Sequence, residues 1–208
     1  TTSASESASS APYFICNGPG VTFDGQNNII DISGVSNFGG LFQNGTSSEN
    51  GKNDITIKNI IVISSSWTTL AGSAGWICQS YFGKGASNNK IENCYSTGEI
   101  SGDDSGGICG QYTGSTITEI TITNCYSTVS ISGTRSGGIF GSDSSGNTTI
   151  ENCYSLGDIS GNGSGGIFGS SSSGNTAIEH CYSTGSLSGN DSGGIFGQGS
   201  SGDTTMEN

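Results

Sequence analysis

The hydrophobic residues of this chain occur in short clusters separated by longer polar intervals. Between positions 150 and 178, for example, the apolar residues that recur in every copy of the pattern are Ile150, Cys153, Ile159 and the pair 167–168. No segment keeps the 3.6-residue apolar spacing of an amphipathic helix. Ser, Thr, Gly and Asn, which favour turns, occupy the intervals. The pattern predicts three short strands in each turn of a repeating unit, joined by corners.

These clusters belong to a sequence repeat. Four segments are near copies: KIENCYSTGEISGDDSGGICGQ from Lys90, TITNCYSTVSISGTRSGGIFGS from Thr121, TIENCYSLGDISGNGSGGIFGS from Thr149 and AIEHCYSTGSLSGNDSGGIFGQ from Ala177. Their cysteines follow one another at intervals of 31, 28 and 28 residues, and so do the residues after each Gly-Gly-Ile. The number of residues from each cysteine to the following Gly-Gly-Ile is constant. The number from Gly-Gly-Ile to the next cysteine varies by three, as the length of a surface loop does. Weaker copies extend the pattern toward the N-terminus.

A repeat of this length without helical periodicity predicts stacked units, each pairing with its counterpart in the next. We expect an all-β fold, a right-handed parallel β-helix (solenoid) of about 6–7 turns with 28–31 residues per repeat. Residues 1–11 are predicted to be a Ser-rich flexible tail, 12–50 an N-terminal cap with the first turns, and 51–208 the β-helix repeats, with an open C-terminus that continues. The expected interior ladders are Cys94, Cys125, Cys153 and Cys181; Ile108, Ile139, Ile167 and Ile195; and Phe140, Phe168 and Phe196.

Composition and charge narrow the choice of partners. The net charge is −12, with only five Lys and Arg residues in 208. No basic patch can form, so nucleic acid and anionic membrane surfaces are disfavoured as partners. No apolar run is long enough to cross a bilayer, and no membrane insertion is expected.

The aligned cysteines allow two interpretations, either disulfides or a thiolate metal site, or a buried ladder of small hydrophobic side chains. Stacked cysteines have parallel side-chain vectors, which is poor geometry for a disulfide. No Cys-x-x-Cys pair points to zinc, and Ile60 stands at the matching position of an earlier copy. The buried ladder is therefore favoured, and we expect no metal and no cofactor.

Three further columns carry polar chemistry. If cysteine points inward, strand alternation turns the following tyrosine outward, where the rings can stack on sugars or on one another; these are Tyr95, Tyr126, Tyr154 and Tyr182. The Asn residues before each cysteine, replaced once by His180, suit a corner with left-handed backbone. The serines after each tyrosine, with others, form a hydroxyl array of the kind that binds ice or simply fills an exposed sheet.

Acidic residues between the tyrosine and the glycine pair raise the question of catalysis. Polysaccharide lyases and hydrolases need converging carboxylates, usually with Arg or Lys. Here Asp104, Arg135 and Asp191 occupy one repeat position, which favours an ion pair between adjacent turns. We therefore predict no enzymatic activity. Four Asn-x-Ser/Thr sequons are candidate N-glycosylation sites: Asn44, Asn147, Asn162 and Asn190.

The string NCYSTGEISG followed by SGGICG resembles the GLUG-type repeats of bacterial surface proteins. It is also similar to repeats in large proteins predicted in giant DNA viruses. The stretch GPGVTFDGQNNIIDISG resembles the first turn of pectate-lyase-like β-helices. The resemblance implies a β-helix exposed on a cell or, alternatively, a virion surface. Proteins of this broad class include adhesins, fibres and polysaccharide enzymes, so the resemblance specifies the fold more narrowly than the activity.

These observations together predict a structural rod, fibre or adhesin segment outside the cell. Its expected partners are further copies of itself, as a homo-oligomer or an end-to-end filament, and glycans. The alternative is a polysaccharide lyase or hydrolase or a glycan-binding β-helix, and a lesser alternative is an ice-binding solenoid.

Overall fold

The computed structural model describes residues 2–3, 14–64, 67–116, 119–171, 173–199 and 202–207. Within these ranges the chain contains strands and turns and no helix. The strands are β1 (Thr2–Ser3), β2 (Phe14–Ile15), β3 (Thr22–Asp31), β4 (Phe42–Gln43), β5 (Thr56–Ile63), β6 (Asn89–Glu92), β7 (Tyr95–Ser96), β8 (Glu119–Thr123), β9 (Tyr126–Ser127), β10 (Asn147–Glu151), β11 (Tyr154–Ser155), β12 (Thr176–Glu179), β13 (Tyr182–Ser183) and β14 (Thr204–Glu207).

The strands form a parallel β-solenoid of about seven turns, which confirms the predicted fold class. Each strand pairs with its counterpart in the neighbouring coil. Ile122 of β8, for example, is in register with Ile150 of β10, which is in register with Ile178 of β12. The separations of 28 and 31 residues seen in the sequence are therefore the spacing between stacked positions.

The sides of a coil differ in regularity. Strand β5 is continuous and pairs with both β6 and β7, whereas later coils break at the Asn-Cys corner into one longer strand and a two-residue Tyr-Ser strand. Of the three strands predicted per turn, two are thus regular strands. The remaining side is held by isolated parallel bridges, as at Ile131, Gly137 and Phe140. The glycine pair explains this, because glycine weakens a continuous strand.

The interior is a set of apolar ladders. Cysteine, isoleucine and phenylalanine side chains stack coil upon coil, and the rings of Phe140 and Phe168 lie 4.6 Å apart at 8°. The ladder residues Cys94, Cys125, Cys153, Ile108, Ile139, Ile167, Phe140 and Phe168 are all 0% exposed. Their counterparts in the last coil, Cys181, Ile195 and Phe196, are only partly buried because no further coil covers them in the described chain.

The corners depend on left-handed backbone. The residues at this corner all have positive φ, from 49° to 55°: Asn59, Asn93, Asn124, Asn152 and His180. Asn is the residue that adopts this conformation most readily after glycine. The Asn93 Nδ2 group donates to Asn59 Oδ1 at 3.1 Å, and Asn59 Nδ2 donates to Asp24 Oδ1 at 2.9 Å. The Asn column is therefore a structural feature of the fold, and His180 is its exposed continuation.

One part of the predicted surface hydroxyl array is wrong, whereas its other serines are exposed as expected: Ser101, Ser132, Ser160 and Ser188. The serines that follow the tyrosines, Ser96, Ser127 and Ser155, are 0% exposed and do not form an outer hydroxyl array. They face the glycine pairs across a narrow waist of the coil. Ser96 Oγ donates to the carbonyl of Gly107 at 2.7 Å, and a Cβ on Gly138 would overlap Ser155. The waist leaves space for a hydroxymethyl group opposite a glycine and for nothing larger.

The N-terminal coil is capped in part by aromatic residues. The rings of Phe14, Phe23 and Phe42 lie 4.8 to 5.0 Å from one another, while Ile15 is 56% exposed. Apart from Thr2 and Ser3, which pair with Ile30 and Asp31, the predicted tail over residues 1–11 lies outside the described residues.

Candidate binding surfaces

The tyrosines of β7, β9, β11 and β13 form a continuous stack on the outside of the solenoid. Neighbouring ring centroids are 4.5, 4.7 and 5.1 Å apart and the ring planes differ by 4 to 10°. The inner rings of Tyr126 and Tyr154 have both faces covered by their neighbours, and Tyr95 is in register with Ile61 of the preceding coil. Stacking on a sugar is thereby restricted to the outer face of Tyr182, which is 48% exposed.

Burial and stacking also affect the ionisation of these phenols. Burial, followed by the neighbouring Tyr95 and Tyr154, raises the pKa of Tyr126. Burial and Tyr182 raise the pKa of Tyr154. The column therefore favours uncharged phenol groups in the folded chain.

A second aromatic stack, which was not predicted from the sequence, lies at another corner. Tyr81 and Tyr112 are stacked at 4.8 Å and 19°, and both have left-handed backbone. The same corner in the next three coils carries Asp143, Ser171 and Gly199, all with positive φ. The signal was present in the sequence, because each of these five residues stands three positions after the Cys or Phe that follows a Gly-Gly-Ile or Gly-Trp-Ile segment.

Along this corner the side chains shrink from two aromatic rings to a carboxylate, a hydroxyl and a hydrogen atom. The decrease leaves a shallow groove beside Tyr112. One face of the Tyr112 ring is covered by Tyr81, and the other face borders the groove. The residues that line this Tyr112 groove are Tyr112, Asp143, Ser145, Ser171, Ser173 and Gly199.

The carboxylate of the Tyr112 groove is held in place from below. Gln111, which is only 7% exposed, donates from Nε2 to Asp143 Oδ2 at 2.6 Å and accepts from Ser73 Oγ at 2.6 Å. Ser142 Oγ lies 3.2 Å from the same oxygen of Asp143. Among the described residues, Asp143 Oδ1 makes no hydrogen bond, so it remains an acceptor at the groove surface.

The predicted pairing of Arg135 with Asp104 is present and bidentate. Arg135 Nε donates to Asp104 Oδ1 at 2.8 Å and Nη2 donates to Oδ2 at 2.6 Å. The Asp104 side chain is only 11% exposed and also accepts from Ser142 Oγ at 2.7 Å. Burial opposes its ionisation, but the hydrogen bonds from Arg135 and Ser142 and the Arg135 charge together lower the pKa of Asp104. The pair joins two adjacent coils, and the charge of Arg135 is engaged within it.

The cysteines form no disulfide bonds. All seven are free, five of them are buried, and Cys16 and Cys181 are partly buried. Burial raises the pKa of Cys78 and of Cys125. In the main column the amide of Cys94 donates to Cys125 Sγ, and that of Cys125 donates to Cys153 Sγ, both at 3.4 Å. No group of three or more His, Cys, Asp or Glu side chains in the described ranges is arranged to hold a metal ion.

The four sequons differ in exposure. Asn147, Asn162 and Asn190 are exposed. Asn44 is 1% exposed, its Nδ2 donates to the carbonyl of Lys52, and its Oδ1 accepts from the Lys52 amide at 2.6 Å. Asn44 thus differs from the other three sequons, because its amide nitrogen is buried within a hydrogen-bonded loop of the folded chain, and N-glycosylation stays a prediction for all four.

Charge is distributed unevenly along the solenoid. All five Lys and Arg residues occur at or before Arg135, whereas residues 136–208 contain seven Asp and Glu residues and no Lys or Arg. The C-terminal coils are consequently the more acidic end. No helix in the described part of the chain could cross a membrane.

Comparison with known protein families, with characterised proteins and with solved structures finds no match to this chain.

Proposed function

We propose that this chain is a structural rod on the surface of a cell or particle, which lengthens by end-to-end stacking of coils. The observation that carries the proposal is the repetition of the same apolar ladders in coil after coil. On the last described coil, Ile195 and Phe196 of these ladders are only partly covered, while Leu187 and Met206 are 51% and 62% exposed, which leaves an apolar face. The occupant that fits this face is a coil of the same repeat, because such a coil continues every ladder in register.

The lateral surface supports a passive role for the rod. Arg135 is held against Asp104 in a bidentate ion pair. A lyase or hydrolase would need free carboxylates close to a basic group. The resemblance of the repeat to GLUG-type repeats of surface proteins supports the proposed location on a cell or, alternatively, a virion.

Gly194 offers a specific test of stacking. Cβ atoms built on Gly107, Gly138 and Gly166 all collide with a carbonyl of the following coil, whereas one on Gly194 meets nothing within 4 Å. An alanine at 194 therefore fits the single chain and blocks the next coil. Gly72→Ala is the matched control, because its Cβ would meet only the Asp103 carbonyl oxygen at 3.7 Å, an ordinary van der Waals contact, and because it lies in an interior coil, away from both end faces.

The experiment is sedimentation and negative-stain electron microscopy of the 208-residue chain, its Gly194→Ala variant and its Gly72→Ala variant. We expect rods several times the single-chain length for the parent and the control, and single rods for Gly194→Ala. Because the chain is net negative, added salt should increase the assembly. Assembly that Gly194→Ala leaves unchanged, or a parent chain that stays monomeric at every salt concentration, contradicts end-to-end stacking. Release of reducing ends or unsaturated products from acidic polysaccharides would contradict the non-enzymatic role.

A further inference from the structure

We infer that the Tyr112 groove is a binding site for a neutral carbohydrate chain, on the flank of the rod. The groove combines an open aromatic face, an anchored carboxylate acceptor and a row of hydroxyl groups. Sugar rings present both C–H faces and hydroxyl groups, and this combination of surfaces matches them.

The aromatic face is the first element of the argument. The ring of Tyr112 is fixed by stacking on Tyr81 at 4.8 Å, so its open face is oriented before a ligand arrives. A preorganised ring loses little conformational entropy on binding. In the other tyrosine column the inner rings cover one another, whereas here the column ends at Tyr112 because the next coil has Asp143 at the matching position.

The polar groups of the groove are the second element. Gln111 holds Asp143 Oδ2 at 2.6 Å, which leaves Oδ1 as an acceptor for ligand hydroxyls. Ser145, Ser171 and Ser173 line the same groove and are exposed. Hydroxyls both donate and accept hydrogen bonds, so they can satisfy sugar hydroxyls in either sense.

Backbone geometry disfavours a peptide in this position. A peptide that adds a strand needs unpaired backbone groups. The amide of Asp143 already donates to the Ser170 carbonyl at 3.0 Å, and that of Ser171 donates to the Gln198 carbonyl at 3.2 Å. The groove therefore binds through side chains, as a site for a small polar ring does.

Charge selects among carbohydrates. Among the described residues that line the groove, Asp143 alone is charged, and the nearby Arg135 is paired with Asp104 at 2.6 Å. A uronate or sulfated chain would place its anions beside Asp143 and the acidic C-terminal coils, where residues 136–208 supply no Lys or Arg to offset the repulsion. The expected ligand is consequently an uncharged chain of hexose or pentose units.

The variants that test this inference use substitutions the corner already accepts. Tyr112→Ser introduces the residue found at 171, and Asp143→Tyr introduces the residue found at 81 and 112, all with positive φ. The first moves the open aromatic face back by one coil, to Tyr81 and away from Asp143, and the second covers the face of Tyr112 by extending the stack. Asp143→Asn removes the charge alone. Tyr182→Ser is the control, because it removes the exposed ring of the other column.

The probes are cello-, xylo- and mannohexaose, with hexagalacturonate as the acidic counterpart, followed by calorimetry and by saturation-transfer NMR. We expect at least one neutral probe to bind the parent chain, and Tyr112→Ser and Asp143→Tyr each to weaken it about tenfold or more. Tyr182→Ser should bind like the parent, and Asp143→Asn should narrow the preference for neutral over acidic probes. Circular dichroism establishes that each variant is folded.

Three results would overturn the inference. They are an absence of saturable binding up to about 10 mM of every neutral probe, a loss of binding in Tyr182→Ser and not in Tyr112→Ser, and tighter binding of hexagalacturonate than of the neutral probes. Sedimentation of the same samples keeps this test separate from end-to-end stacking, because Tyr112 and Asp143 lie three coils and two coils away from the coil that contains Gly194.

Discussion

Replacement of Gly166 by alanine should strongly destabilise the solenoid, whereas the same replacement at Gly194 should not. The two glycines occupy the same repeat position, 28 residues apart. A Cβ on Gly166 would lie closer than 3.0 Å to the Gly194 carbonyl oxygen and to Ser183, and one on Gly194 meets nothing within 4 Å. The comparison isolates one variable, which is the presence of the following coil.

The magnitude follows from the spacing of the coils. To accommodate the methyl group, the coil beyond Gly166 must move by about 1 Å, since real Cβ atoms do not approach closer than about 3 Å. The hydrogen bonds from Gly166 N to Gly193 O and from Ile167 N to Ile195 O, both 3.0 Å, resist that movement. Overpacking costs about 1–3 kcal/mol, and loss of two hydrogen bonds adds roughly 1 kcal/mol each. We expect a loss of about 3–5 kcal/mol in the free energy of unfolding.

The assay is urea unfolding followed by far-UV circular dichroism, with the parent chain, Gly166→Ala and Gly194→Ala measured in parallel at a concentration where all are monomeric. Gly194→Ala should stay within about 0.5 kcal/mol of the parent. Equal stability of Gly166→Ala and the parent would refute the reasoning. So would equal destabilisation of both variants, because the backbone conformation and not the neighbouring coil would then be the cause.

Four other predictions concern the ladders and the paired groups. Phe168→Asp should prevent folding, because it buries an unpaired charge at a position that is 0% exposed. The control Ile15→Asp changes a position that is 56% exposed and should fold. Circular dichroism with thermal melting distinguishes the two variants. Ser155→Ala should be neutral or stabilising, because Ser155 Oγ is buried with no hydrogen-bond partner among the described residues, whereas Ser96→Ala loses the bond to Gly107 and should cost about 1 kcal/mol in urea unfolding. Arg135→Asn should lower the free energy of unfolding by about 1–3 kcal/mol at neutral pH. Because the pKa of Asp104 is lowered in the folded chain, the stability that the ion pair contributes is present above the unfolded pKa and should be lost from unfolding curves as the pH falls through the folded pKa. The pKa of Tyr126 is raised in the folded chain, so the stability gained from its uncharged phenol is complete below the unfolded pKa of about 10 and is lost as the pH rises through the folded pKa. Melting curves at alkaline pH should therefore show a smaller loss of stability for Tyr126→Phe than for the parent.

The fold was predictable because each coil repeats the same residues. Alignment of Cys125 with Cys153 and of Phe140 with Phe168 was enough to predict the stacking register, and the bridges and hydrogen bonds between those positions confirm it. Asn at each corner was an equally local signal, because its tolerance of positive φ is a property of the residue itself. Repetition thus converts weak local preferences into a clear pattern.

The surface was less predictable, because it depends on what lies opposite or beside a residue. Ser127 resembles a surface residue by composition, but strand alternation after an inward cysteine and an outward tyrosine turns it inward, against a glycine pair that leaves it room. Asn44 matches a sequon but lies in a hydrogen-bonded loop. The Tyr112 groove arises from the order of side chains along one corner, which only the aligned third position after each Cys or Phe marker reveals.

The confinement of contacts to adjacent coils has a consequence for heredity. Near-identical coding segments recombine unequally, and an exchange that adds or deletes one 28-residue unit would leave every surviving neighbour with a partner of the same kind. The length of the rod can then change between generations in increments of about 4.8 Å, and no step produces a chain that fails to fold. Selection could therefore adjust the length of the rod independently of its stability.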